Sequence, residues 1–140
     1  MTIIATDTSR VSNLIKKTDS FYSPELLNEV VTVNEVSATS YLLGTVLGKV
    51  TATGKYIRCV QTATDGSQVP AAIYLSDITG SYNTLAIVAG TDTKVLTLFR
   101  GKVVVSAGAL VLDASFSTPA LVQGAYASLK ALNILPETVN

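Results

Sequence analysis

Gly44, Thr45, Val46, Leu47, Gly48 and Lys49 invite comparison with a phosphate-binding loop, in which backbone amides and a lysine cradle an anion. The spacing does not support that chemistry. Such a loop needs four residues between its glycines, and its lysine is followed by Ser or Thr to reach a magnesium ion. Here three residues intervene and Val50 follows Lys49. A second frame, Gly48 to Gly54 and Lys55, has five intervening residues and runs on into Tyr56. Neither lysine opens a helical stretch whose first amides could hold phosphate. Gly44, Gly48 and Gly54 are read as bends in a chain that otherwise favours strands.

Other chemistry is equally short of residues. The chain has no histidine, which removes the commonest general base and metal ligand. With Cys59 as its one cysteine it cannot build a Cys/His zinc site or an internal disulfide. There is no GxSxG elbow, and Ser128, Leu129 and Lys130 do not have the Ser-x-x-Lys spacing of acyl enzymes. Asp65 reads as a turn former beside Gly66, and only the distant Asp77 could join it in holding calcium. The acidic residues are scattered over turns and strand ends. The expectation is a protein with no catalytic residues, no metal and no cofactor.

Composition points to burial against other chains. Ten Lys plus Arg balance ten Asp plus Glu, and no basic cluster exceeds Lys16-Lys17, so nucleic acid is not an expected partner. Charged residues make up 14%, hydrophobic ones 48%, and mean hydropathy is +0.43. A typical domain carries about 25% charge. With so few charges, part of the outside is expected to be covered by copies or a lattice; the alternative is a neutral surface rich in Thr and Ser. The longest near-apolar run, residues 103–112, is far below the ~20 needed to cross a bilayer. No membrane span and no secretory signal are expected, and a buried Cys59 fits a reducing cytoplasm.

The elements follow from periodicity. Residues 1–27 mix polar and apolar side chains without a sustained period and are read as an arm that orders on binding, with Ile3-Ile4 and Phe21-Tyr22 as docking groups. The alternative is an edge strand plus a short helix around residues 11–17. Residues 28–140 form the β-rich domain. Val31, Val33 and Val36 alternate as the inward side of a first strand. Residues 43–59 fold as strand, turn and strand, and are the ribbon on which the remainder is arranged. Asp65-Gly66 turns the chain into an extended run over residues 69–75, entered through Pro70. Gly80, Ser81, Tyr82 and Asn83 form a loop, and Arg100, Gly101 and Lys102 a solvated tip. Four short strands are expected over residues 85–88, 95–99, 102–105 and 109–112. Leu121, Ala125, Leu129 and Leu132 then recur at helical spacing, with Thr118 as N-cap and Pro119 at the first helical position. This helix is expected to lie on the 43–59 ribbon and to be stopped by Pro136.

Four segments in this order, LGTVLGKVTATGKYIRC, ATDGSQVPAAIYLSDI, RGKVVV and ALVQGAYASLKALNIL, resemble the lambda-type phage head decoration proteins, which are capsid cement proteins. The resemblance spans residues 28–135. Asn133 departs from it, standing where family members often have glycine, and the arm is not matched. The resemblance implies a mainly β domain, a sharply bent β-ribbon of β-clip or β-tulip type, with one short C-terminal helix and an extended N-terminal arm. It implies a late structural protein made in the host cytoplasm and placed on the capsid exterior of the virion. There a homotrimer binds the major capsid protein at three-fold and quasi-three-fold sites after expansion, without cofactor or catalysis. Thr2, Ile3, Ile4, Ala5 and Thr6 have the β propensity to add a strand to a capsid sheet and are the candidate contact residues. A rival reading is a tail or baseplate binding module, but the six tyrosines are dispersed and there is no Trp to serve as a sugar platform.

Overall fold

The residues Pro70-Ala71-Ala72-Ile73-Tyr74-Leu75 form an apolar run too short for a buried helix and suited to a strand covered on both faces. In the computed structural model of the chain, which describes residues 14–18, 28–79, 84–99 and 103–137, this run is the central strand of the fold. The strands are β1 (Ile15–Thr18), β2 (Asn28–Val33), β3 (Thr39–Tyr41), β4 (Val46–Lys49), β5 (Tyr56–Arg58), β6 (Pro70–Asp77), β7 (Leu85–Ile87), β8 (Thr93–Leu98), β9 (Val103–Ser106) and β10 (Ile134–Glu137). One helix, α1 (Pro119–Ala131), precedes β10. The fold is mainly β with a single C-terminal helix, as the sequence predicts.

The 43–59 ribbon is present, since β4 pairs antiparallel with β5 through Leu47↔Arg58 and Lys49↔Tyr56. It does not stand alone. It is two staves of a closed barrel, ordered β2-β5-β4-β6-β8. β8 pairs with the whole of β2, from Asn28↔Leu98 to Val33↔Thr93. The barrel closes between β2 and β5 on one parallel pair, Val33↔Tyr56. Val31, Val33, Tyr41, Leu47, Tyr74, Ile87 and Val95 fill the interior. The two-stranded β3–β7 ribbon lays Tyr41 and Ile87 onto that filling.

β6 turns Tyr74 into the barrel, while Ile73 and Leu75 face a second core with Leu14, Leu98, Val103, Val105, Leu129 and Ile134. That second core is roofed by α1 and by a sheet ordered β1-β9-β10. Leu14 and β1 fall within the segment read as an arm. An edge strand is present in that segment, with Ile15 opposite Val105 and Thr18 opposite Val103, and it occupies residues 15–17, which the alternative reading gave to a short helix.

Four sequence expectations are corrected. Val36 does not continue the inward face of β2; it follows the end of the strand and is exposed. Residues 109–112 are not a strand, because the chain coils in a 3-10 turn at Ala107–Ala109 and touches the sheet only through Thr45↔Val111. Helix α1 packs on β6 and β10, not on the β4–β5 ribbon. Its N-terminus is as predicted, with the Leu121 N–H donating to Thr118 Oγ1 at 3.3 Å. Its end is set by Asn133 at φ 62, the left-handed position that follows a helix C-cap, and Pro136 lies buried in β10. Asparagine is among the few non-glycine residues that adopt this conformation readily. The loop expected at Gly80 to Asn83 and the tip expected at Arg100, Gly101 and Lys102 lie outside the described residues.

Two glycines of the ribbon are required by close approach. A Cβ on Gly48 would collide with the Ser67 carbonyl, and one on Gly44, at φ 96, with the Ala109 carbonyl. Both obstacles are backbone and cannot rotate away. Gly48→Ala is therefore expected to lower unfolding free energy by about 2 kcal/mol or more, in the manner of an overpacked core. Gly124, with open space around it on α1, provides the opposite case: Gly124→Ala is expected to stabilise by roughly 0.5–1 kcal/mol through helix propensity. Urea denaturation of the two variants checks both signs.

Candidate interaction surface

The β3–β7 ribbon is held across the barrel by a buried polar clasp. The Tyr41 hydroxyl donates to Glu35 Oε2, and the Arg58 backbone N–H donates to the same oxygen at 2.6 Å. Arg58 Nη2 donates to the Ser40 carbonyl at 2.7 Å, and its guanidinium lies 5.9 Å from the Tyr41 ring centroid. The Tyr41 and Tyr74 rings meet at 5.5 Å and 57°, a tilted aromatic pair inside the barrel. Burial, the bond to Glu35 and its charge hold the Tyr41 hydroxyl far above the usual phenol range. On the other side of the clasp, the Gly90 N–H donates to the Glu35 carbonyl at 2.8 Å. This bond sets Val36 beside the turn that follows β7.

Strand alternation decides what the ribbon shows to solvent. Tyr41 and Ile87 point in, so Ser40 and Ala86 point out, followed in the same phase by Leu42 and Val88. Leu42 is 49% exposed, Val88 64% and Val36 90%. Residues 36–48 contain no charged side chain, and neither do residues 78–91. Thus the two segments that build the ribbon are both free of charge and carry exposed aliphatic groups. Reading element by element misses this surface; the signal was the pair of charge-free stretches, which only the β3–β7 pairing places side by side.

Charge is gathered elsewhere. A groove of about 370 Å³ runs between β2 and the tip of the β4–β5 hairpin, lined by Glu29, Val30, Thr32, Lys49, Lys55, Tyr56 and Asp92 among others. Lys55 Nζ lies 2.9 Å from Asp92 Oδ1, which also accepts from Asn34 Nδ2 at 2.6 Å. These bonds, Asn34 first, hold the Asp92 carboxyl below its ordinary value. Lys94 Nζ donates to Thr32 Oγ1 at 2.8 Å, and Lys49 Nζ sits 5.9 Å from the Tyr56 ring centroid. The lysines of the phosphate-loop lookalike are thus placed on a strand and a hairpin, each against a local partner.

The remaining reactive groups have structural work. Cys59 is buried, and burial, with the Asp113 charge, pushes its thiol up to about 12. Asp65 accepts from the Ser67 N–H at 3.0 Å, Asp77 from the Thr79 N–H at 2.9 Å, and Asp113 from the Ser115 N–H at 3.0 Å. Bonds from Ser67 lower the Asp65 carboxyl. Partial burial raises that of Asp113, but the bonds from Ser115 and the charge of Arg58 outweigh it. Among the described residues no group of three or more Cys, Asp or Glu side chains is arranged to hold a metal. No helix there is long and apolar enough to cross a membrane. Thr2, Ile3, Ile4, Ala5 and Thr6 lie outside the described residues.

The family model for bacteriophage lambda head decoration protein D matches residues 20–134, well over half of the chain. No curated protein matches it.

The clasp should respond differently to two substitutions at one position. Glu35→Ala strands the buried Tyr41 hydroxyl and is expected to cost about 1–3 kcal/mol, whereas Glu35→Gln keeps an accepting oxygen and should cost less; chemical denaturation distinguishes them. Asp65, Asp92 and Asp113 have native values below their ordinary 3.8. The stability they add is present above that value and is lost as pH falls through the lowered native ones. Urea midpoints should therefore fall below about pH 4, and fall less in Asp92→Asn.

Proposed function

Since the chain belongs to the bacteriophage lambda head decoration protein D family, a family of structural phage capsid proteins, we propose that it cements the expanded head as a homotrimer. In this reading the trimer sits at three-fold and quasi-three-fold positions on the capsid exterior, and each subunit contacts the major capsid protein. The chain is made in the host cytoplasm and joins the shell late. The observation that carries the proposal is the family match across residues 20–134. The low charge and the exposed aliphatic ribbon support it, because a surface of that kind is suited to being covered.

Contact with the shell is assigned to the segment ahead of β1, with Thr2, Ile3, Ile4, Ala5 and Thr6 adding a strand to an exposed sheet edge of the capsid. Three such arms on one trimer reach three lattice sites, and docking of one raises the effective concentration of the others. A ligand that binds only the expanded lattice stabilises it by RT ln(1 + [L]/Kd), about 2.7 kcal/mol per site at a hundredfold excess over Kd. Repeated over a shell, that resists internal pressure.

The test uses a deletion that spares the second core. Leu14 is buried and Ile15–Thr18 pairs with β9, so removing residues 1–22 would damage the fold, whereas removing residues 1–13 leaves these contacts. The shortened protein is expected to keep its oligomeric state and thermal transition and to lose occupancy on expanded, undecorated heads imaged by electron microscopy. Unchanged occupancy would reject the arm. Full-length protein that leaves three-fold positions empty and binds tails or baseplates instead would favour the rival module.

A further inference from the structure

One length of the barrel wall is hydrogen-bonded on one side only. β2 pairs with β8 from Asn28 to Val33, but meets β5 only at Val33↔Tyr56. The Asn34 N–H donates to the Tyr56 carbonyl at 3.1 Å, whereas the Glu29 carbonyl is turned toward β8 and accepts from Thr97 Oγ1 at 3.0 Å. Backbone groups alternate in direction along a strand, so Asn28, Val30 and Thr32 aim theirs away from β8. Among the described residues nothing bonds to the N–H or the carbonyl of Val30. The groove described above follows this length of β2, with Glu29, Val30 and Thr32 on one bank and Lys49, Lys55 and Tyr56 on the other. It is therefore bordered by an open strand edge, a feature that proteins ordinarily blunt or cover.

We infer that this edge is a berth for the chain's own N-terminal segment, with Thr2 to Thr6 laid as a strand along residues 28–32 of β2. The match begins with length, since five residues face five, roughly 17 Å of strand. Reach is sufficient. Leu14, where the described chain begins, shares the second core with Leu98, and Leu98 is the ladder partner of Asn28. The route from Leu14 to the groove is thus one layer spacing of about 10 Å and two strand spacings of about 4.8 Å each. Residues 7–13 span up to about 23 Å when extended. Composition fits as well: Thr2, Ile3, Ile4 and Thr6 are β-branched, and the segment from Thr2 to Thr6 brings no charge to a groove whose own charges are balanced. Successive side chains of a strand face opposite sides, so in either phase one of Ile3 and Ile4 shares a face with the exposed Val30. The tether decides the occupant, because a segment on a short linker is present at an effective concentration on the order of millimolar, which a free partner does not reach. The same five residues are assigned above to a sheet edge of the capsid, so pairing at home and pairing on the shell exclude each other. Held at home, an adhesive strand is kept from other copies until the lattice offers it an edge.

The berth rests on the arm reading for its consequence, and the two can fail separately. Residue-resolved hydrogen exchange by NMR compares the full-length protein with the 1–13 deletion and with Ile3→Pro/Ile4→Pro, which keeps the length of the arm but not its strand pairing. Amides of Val30 and Thr32 are expected to exchange at least tenfold more slowly in the full-length protein than in either variant. Those of Val31 and Val33, which face β8, should be unchanged. Equal rates at Val30 and Thr32 in all three proteins would overturn the berth, and faster exchange at all four positions alike would be loss of the strand itself and would count against it too. Isotope-labelled 1–13 deletion protein, refolded with an excess of unlabelled full-length chain, should keep its fast Val30 and Thr32 amides; protection there would give the edge to a neighbour's arm and overturn the inference. Head decoration distinguishes the two readings. Slow Val30 and Thr32 amides in the full-length protein, with a deletion variant that still decorates heads, would keep the berth and reject the capsid-binding arm, whereas fast amides with decoration lost on deletion would do the reverse.

Discussion

The fold depends on one strand being dry on both sides. β6 faces the barrel with Tyr74 and the helix layer with Ile73 and Leu75, so neither core can form without it. A strand placed this way cannot tolerate a one-residue slip, which would exchange the two sets of side chains and put each in a space shaped for the other. Its register is fixed from both flanks. β4 sets Val46 opposite Ile73, and β8 sets Leu98 opposite the same residue. The irregularities in those ladders, between Leu47 and Gly48 and between Tyr74 and Ser76, bend the strand around the barrel without breaking its pairing.

The polar clasp is the second organising contact and depends on the first. Glu35 is buried and accepts from two donors that come from different elements, the Tyr41 hydroxyl and the Arg58 amide. A buried carboxylate is costly unless such donors surround it. Here they tie β3, β5 and the end of β2 to one atom. The ribbon that results is positioned by the interior and yet presents a neutral outer face, so the same few residues join the barrel's packing to that surface.

What was readable from sequence was what local chemistry decides. The alternation of Val31 and Val33, the Thr118-Pro119 helix start and the apolar run of β6 each announce themselves within a few residues. Misreadings occurred where a distant partner decided. Val36 has the composition of a strand residue but falls one place out of phase with Val31 and Val33, and the inward position is taken by Glu35, whose carbonyl accepts from the Gly90 N–H. Pro136 looks like a helix stop, yet Asn133 has already turned the chain so that β10 can run parallel to β9. Residues 109–112 have strand composition, but the approach of Ala109 to Gly44 bends them away. The clasp was not legible, because nothing near Glu35 in the chain says that Arg58 will supply an amide to it.

The barrel's seam has a mechanical meaning. Every other junction between staves is stitched by at least three registered pairs, while β2 and β5 share only Val33↔Tyr56. The cylinder is less a welded tube than a rolled sheet whose margin is fastened by one ladder pair and otherwise by side chains, Glu35 on the Arg58 N–H and Asp92 between Asn34 and Lys55. Under tension from outside, such a roll would flare along that margin first and leave the wall bearing the helix undisturbed. The load is then taken first by that fastening, and the packing around β6 is spared.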